Sequence, residues 1–490
     1  MKGLNNALED FGVIGDAMGT LRSLKGAFRT LNDLLKSLTA SIITLESTIL
    51  PFQLEKGLYT LPDDILSMIF QFVGDRKTLF LVSRRLLEVA SKVPQLWGKV
   101  SNRNSEKELK ECLTRSGTTG LDVDFSVDDF RRIDPLVMFD TVLPHSARWR
   151  SLEMSVGNSW AHADGVLTTI GQRCRDAVFT QLSSMSIEFP SSFDDDPNED
   201  DGDGDVDPTI FEVTNSSLHF FESIKLPVLS SLHVVNLIPN PFPAPKLRSL
   251  WIELLRRPTQ SERSPANIVR LLSALPHLEE LHLSLAEELK QEEIPAVSLP
   301  NLKTFKLDVV HWLLDAKDLM KALTLPVIRI MHINIEQHRS DKFLGLTTWL
   351  KALFCHDKYP TLEELFLEFA DLNCEQKKKY DIPFEKFPNL RTLCLDTPEL
   401  HPDYSKDDLA NEQSLPSLRT LHIKESDCAL AYWLGTVGPK LAGQGWGGRD
   451  NFGWMREGLE GSLETGLVKN LCAGKRIVWE KSDPDRFTAF

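Results

Sequence analysis

Pro276-His277-Leu278-Glu279-Glu280-Leu281-His282-Leu283 is one of eight copies of Pro-x-Leu-x-x-Leu-x-Leu or its close apolar equivalents, and its reading decides the fold. The other copies begin at Pro227, Pro245, Pro300, Pro326, Pro360, Pro388 and Pro416. In the Leu-x-Leu half, alternate apolar residues point to one side of a short strand and the intervening ones to the other. Weaker copies stand at Leu121–Phe125, Trp149–Met154 and Leu182–Ile187. Helix-like stretches at Ala266–Ala274, Ala316–Leu323 and Lys342–Phe354 separate some copies, each ending before the next proline, which disfavours helix in the residue preceding it. Strands alternating with helices predict an α/β chain, stacked as a curved solenoid. The first apolar positions fall at 229, 247, 278, 302, 328, 362, 390 and 418, so the period is irregular and the expected horseshoe is distorted.

The Leu-x-x-Leu-x-Leu core resembles the leucine-rich repeat. In such an array the outward residues of the strands form a concave face where partners commonly bind. The middle outward residues are His233, Trp251, His282, Lys306, His332, Phe366, Cys394 and His422. Of these, His233, Trp251, His282, Lys306, His332, Phe366 and His422 are the candidate target-binding residues. Four histidines and two large aromatics in one column make a recognition stripe. Ser231, Glu253, Glu280, Asp308, Glu364, Glu368, Asp396 and Lys424 flank it.

A second segment, Leu58 to Val100, has another period. Thr60 is placed to cap a helix, with Asp63 completing a capping box and Pro62 at the helix start. Ile65, Leu66, Ile69, Phe70 and Val73 recur at helical spacing. Shorter apolar helices are expected around Thr78–Ser83 and Arg85–Lys92, before a loop ending in Trp97. Three helices in about forty residues cannot bury this much apolar surface unaided, so one face is left for a partner.

Leu61, Pro62, Ile65, Leu66, Ile69 and Phe70, then Val82-Ser83-Arg84-Arg85, then Pro94, Leu96 and Trp97, resemble the F-box. This three-helix motif docks on the Skp-type adaptor of cullin-based ubiquitin ligases. The family more often has Pro-Glu at Asp63-Asp64 and Trp at Leu86; neither difference removes the apolar face. The resemblance implies a member of the F-box and leucine-rich-repeat family of the kind frequent in fungi. It implies a non-catalytic, substrate-recognising subunit of an SCF-type ubiquitin ligase. Leu61, Pro62, Ile65, Leu66 and Ile69 would contact the adaptor, Trp97 would support the core, and a protein target would bind the repeats. The alternative is an F-box scaffold acting outside ubiquitination.

The implied organisation is a long helix over 1–57, the F-box over 58–104, the repeats over 105–430 and a Gly/Trp-rich cap over 431–490. The N-terminal helix carries a heptad series from Ile14 through Phe28 and Leu38 to Ile49. That seam suits either a homodimeric coiled coil or a helix folded back on its own chain. Residues 194–207, nearly all Asp, Glu and Gly, suit a solvated loop, and the spacing places Ile210 where a calcium loop needs glutamate. The cap is expected to carry a strand near Arg476–Glu480. Its Gly443-x-Gly445-x-x-Gly448 string follows no strand and is not a dinucleotide site.

A formal net charge of −15 argues against a nucleic-acid surface and leaves open a locally basic partner. Seven scattered cysteines with no Cys-x-x-Cys give no zinc spacing and suit a reducing cytoplasm or nucleus. No apolar run reaches membrane-spanning length, and the start lacks the pattern of a signal peptide, so the sequon at Asn215 is expected to stay idle. No hydrolase, zincin, phosphate-loop or kinase motif occurs; no enzyme, cofactor or metal is expected.

Overall fold

A computed structural model describes residues 60–72, 82–127, 133–156, 160–189, 220–255, 264–286, 293–310, 314–336, 350–355, 359–370, 383–396, 418–425 and 467–481. A few residues within these spans are left out, and a few outside them are included. The acidic run 194–207, the Gly443–Gly448 string and most of 1–57 lie outside the described residues, as does the expected helix at Thr78–Ser83 apart from its end. The chain divides after Leu96 into two compact units.

In the first unit, helix Asp63–Phe70 begins after Pro62, whose fixed φ of −58° suits the position before a helix. The expected capping box is not formed: the N-cap is Pro62 and no side chain caps the helix. Asp63 and Asp64 instead serve the positive end of the helix dipole. Helix Arg84–Ala90 is capped by Ser83, whose hydroxyl accepts the Leu86 N–H. Arg85 ties the two helices together, donating to the Leu61 carbonyl at 2.7 Å and to Asp63 Oδ1 at 3.0 Å. Leu66, Phe70, Leu86, Val89, Ala90 and Val93 are buried.

The second unit is mixed α/β, built on one large sheet. Its strands, and those of two small ribbons, are β1 (Lys99–Ser101), β2 (Leu121–Val127), β3 (Trp149–Val156), β4 (Ser184–Glu188), β5 (Ser231–Val235), β6 (Ser249–Leu254), β7 (Glu280–Leu285), β8 (Val297–Ser298), β9 (Thr304–Val310), β10 (Leu323–Thr324), β11 (Ile330–Glu336), β12 (Glu364–Ala370), β13 (Lys379–Tyr380), β14 (Thr392–Asp396), β15 (His401–Pro402), β16 (Thr420–Glu425), β17 (Leu467–Cys472) and β18 (Lys475–Lys481). The large sheet has fourteen strands in the order β1-β2-β3-β4-β5-β6-β7-β9-β11-β12-β14-β16-β18-β17. Every neighbouring pair is parallel except the last, β17 with β18. The short strands β8 and β10 pair apart from it, as do β13 and β15.

The repeated proline has a structural role that the sequence reading assigned only to helix termination. It occupies the second position of a tight turn, where its fixed φ is already correct. The N–H of Leu247 returns to the Ala244 carbonyl at 3.1 Å, Leu278 to Leu275 at 3.2 Å, and Leu362 to Tyr359 at 3.2 Å. The carbonyl just before each strand then accepts two N–H groups from the next copy: Arg248 from Glu279 and Glu280, and Lys303 from Arg329 and Ile330. Inward apolar residues from Leu232 to Leu395 are buried on every strand of this series.

The expected irregular solenoid is corrected: the strands form one large, mostly parallel sheet, joined by unequal crossovers. Among the described residues, helices Pro135–Val142, Trp160–Cys174, Pro265–Ser273 and Leu314–Ala322 lie between strands, whereas 236–248 joins β5 to β6 without a helix. The cause is the spacing, which runs from 18 residues between Leu229 and Leu247 to 34 between Ile328 and Leu362. One strand–helix unit cannot recur over such unequal lengths, and what persists is the strand pairing.

Two buried asparagines fasten strand ends. Asn102 Nδ2 donates to the Ser126 carbonyl and its Oδ1 accepts the Ser126 N–H at 2.9 Å. Asn236, at φ 59°, donates to the Phe189 carbonyl and accepts the Leu255 N–H, both at 2.8 Å. Asparagine tolerates this left-handed conformation better than most residues. Asn236→Ala removes both of these hydrogen bonds and is expected to lower stability by about 2 kcal/mol, read from urea unfolding.

Candidate partner-binding surfaces

Helix Asp63–Phe70 sorts its apolar residues onto two faces. Leu66 and Phe70, four apart, are buried, while Ile65 and Ile69, also four apart, remain 39% and 40% exposed. Met68 and Phe72 are more exposed still. Pro62 is exposed and Leu61 half-buried. Leu66, expected at the adaptor contact, is instead fully buried, because the inward face takes positions 66 and 70. Met68 and Phe72 were missed in the sequence, although with Ile65 and Ile69 they complete the i, i+3, i+4, i+7 spacing of one helix face. In the second unit, Trp97 is buried with the Arg115 guanidinium 4.5 Å above its ring.

On the large sheet, parallel register places the candidate column side by side. His233 lies beside Trp251, Trp251 beside His282, and His282 beside Lys306. Lys306 adjoins His332, which adjoins Phe366, then Cys394 and His422. The rings touch: His233 and Trp251 centroids are 4.6 Å apart, Trp251 and His282 4.4 Å, and His332 and Phe366 4.0 Å with planes 6° apart. Trp251 is 41% exposed and His422 half-buried. Cys394 and Asp396 are buried despite their outward alternation, so the open part of this column does not run evenly to its end.

The next outward row reads Val235, Glu253, Ser284, Asp308, Asn334, Glu368, Asp396 and Lys424. Ser284 and Asn334 were missed as members of it, although the alternation Met331-His332-Ile333-Asn334-Ile335 carries the signal. His233 bonds Ser186 Oγ through Nδ1 at 3.2 Å and approaches Glu253 through Nε2 at 3.4 Å. His282 Nε2 is hydrogen-bonded to Asp308 Oδ2, and Lys306 Nζ is 3.1 Å from the same oxygen. Burial pushes the Asp308 carboxyl up, but the His282 hydrogen bond and the Lys306 charge together outweigh it and hold the group below its ordinary value.

Burial, then the charge of Lys306, lower the His332 imidazole; Asp308 pulls the other way, and the His282 charge adds a smaller lowering. Its folded value lies below its unfolded one, so the stability it contributes is complete above the ordinary value of 6.5 and is lost as pH falls below that. His332→Phe keeps a ring on Phe366 and removes the titration. It is expected to flatten the change in thermal midpoint between pH 7 and pH 5.

His233, His282 and His332 are thus engaged by carboxylates or rings, and among the described residues no group of three or more His, Cys, Asp or Glu is placed to hold a metal. Burial pushes the Cys174 thiol up to about 12, which makes it a packing residue rather than a nucleophile. No helix among the described residues is long and apolar enough to cross a membrane. No protein-family model matches the chain, and no curated protein is significantly similar to it.

Proposed function

We propose that the chain is a substrate-recognition subunit of an SCF-type cullin-RING ubiquitin ligase. In this reading the 58–104 segment is an F-box that holds a Skp-type adaptor, and the leucine-rich repeats hold a protein target. The observation that carries it is the exposed apolar set Ile65, Met68 and Ile69 on a helix whose inward positions are already filled, with Phe72 in the turn that follows. Exposed apolar clusters of this kind mark protein contacts. The ring column of the sheet supports a second surface for the target, since aromatic groups concentrate binding energy. The protein would perform no chemistry; it would raise the effective concentration of target near the ubiquitin-charged enzyme.

Affinity purification of the full chain followed by mass spectrometry tests the reading. Recovery of a Skp-type adaptor and a cullin is the expected result, and their absence under conditions that preserve such complexes overturns it. A scaffold role outside ubiquitination is the second reading, favoured by Phe28 and Leu38, which are helical and exposed on the heptad seam. If that seam pairs two copies, light scattering of the full chain gives a dimer mass, and Phe28→Glu with Leu38→Glu returns it to the monomer.

A further inference from the structure

The sheet face carries a signature of the chemistry it receives. Among the described residues, the buried side-chain oxygens without a hydrogen-bond partner are Asp308 Oδ1 and Asn334 Oδ1. These residues are partners in register on β9 and β11, so their backbones stand one strand spacing apart, about 4.8 Å, on the same face. Buried acceptors are nearly always paired, and two adjacent exceptions point to donors supplied from outside. Glu253, Glu368 and Asp396 occupy the same row, which between Glu253 and Asp396 holds no cation.

In the row just before the strands, by contrast, both acidic residues, Glu279 and Glu363, already have cationic partners. Lys303 pairs with Glu279 at 2.6 Å, Arg248 with Glu279 at 3.7 Å, and Arg391 with Glu363 at 3.6 Å. The cation beside the acceptors is Lys306, from the neighbouring row, whose side chain is 44% exposed and pairs with Asp308 Oδ2 at 3.1 Å. The His332 and Phe366 rings, stacked on each other, lie two residues earlier on β11 and β12, in the row beside the acceptors.

We propose that this face docks an arginine-bearing basic segment of a protein partner. Its guanidinium would displace Lys306, donate to Asp308 Oδ1 and Asn334 Oδ1, and lie against the ring pair. A planar, multi-donor cation suits two adjacent acceptors and an aromatic wall better than a point-charge ammonium does. The inference rests on the reading of this face as the target surface and adds the chemistry of the target.

The test is fluorescence anisotropy of the full chain at physiological salt with three labelled probes of the form (Gly-Ser-X)4, where X is Arg, Lys or Glu. The Arg probe is expected to bind most tightly and the Glu probe not at all. Asp308→Asn combined with Asn334→Leu is expected to weaken the Arg probe at least tenfold, whereas Glu106→Gln, which removes one acidic charge from helix Glu106–Arg115, leaves it unchanged. Lys306→Ala is expected to tighten binding several-fold, a gain that a misfolded variant cannot give. Equal binding of the Arg and Glu probes, equal weakening by Glu106→Gln, or weakening by Lys306→Ala overturns the proposal. Adaptor capture is scored on the same preparations. Capture of the adaptor and of a target through Trp251 with no preference for the Arg probe overturns this inference alone and leaves the ligase reading standing.

Discussion

Ile65→Asp combined with Ile69→Asp is expected to reduce adaptor binding at least a hundredfold while leaving the thermal midpoint within a degree or two of the parent chain. Both side chains are already about two-fifths exposed, so a carboxylate there is solvated in the free protein. It is stranded only when a partner covers it, and burying an unpaired charge is among the costliest events at an interface. Leu66→Asp provides the contrast. That side chain is fully buried, and the substitution is expected to unfold the helical unit rather than to act on docking. Leu61→Ala with Pro62→Ala is a milder version, because it removes contact area without adding charge. Pull-down of a purified Skp-type adaptor, read beside circular dichroism, separates these outcomes. Adaptor binding that survives the double aspartate variant removes this face from the contact.

The second large effect is expected at Trp149. Its indole is fully buried among Phe125, Phe139 and Phe179, with centroids 6.4, 5.8 and 5.2 Å away, and its Nε1–H donates to the Val142 carbonyl at 3.3 Å. Ring pairs at these separations add to the area they bury. Trp149→Ala leaves a cavity and an unpaired carbonyl and is expected to cost about 3–5 kcal/mol. Urea unfolding followed by circular dichroism measures it. Trp149→Phe refills most of the space and should recover more than half of the loss; a loss under about 1 kcal/mol for the alanine variant contradicts this account.

Much of the strand pattern was legible because Leu-x-Leu is a period-two signal, repeated. The inward residues Leu281 and Leu283, or Leu365 and Leu367, could be named from spacing alone, and so could the neighbours of Trp251 and Phe366. Less legible was anything set by the chain between strands. The same outward position is half-exposed at His332 and buried at Cys394, because what covers a strand face is decided elsewhere in the chain. Thr60 offered a sound capping signal, yet Pro62 took the N-cap position. The pairing of His282 with Asp308 needed the register of two strands twenty-six residues apart in sequence, which composition does not contain. Leu66 shows the remaining limit. Helical spacing identifies an apolar face but does not say whether that face turns inward or toward a partner.

From β1 to β16, neighbours in the large sheet follow chain order, and this fixes how its surface can change. The residues between β4 and β5 form a long connection, while those between β5 and β6 form a short one, and both pairs keep the same parallel register. Growth between strands therefore costs nothing in pairing. A duplicated copy inserted between neighbours would lengthen the ring ladder by about 4.8 Å and leave the contacts within every older copy intact. The distance between outward groups on this face is quantised in whole strands, so gene duplication can respace them in fixed steps, without redesigning a core.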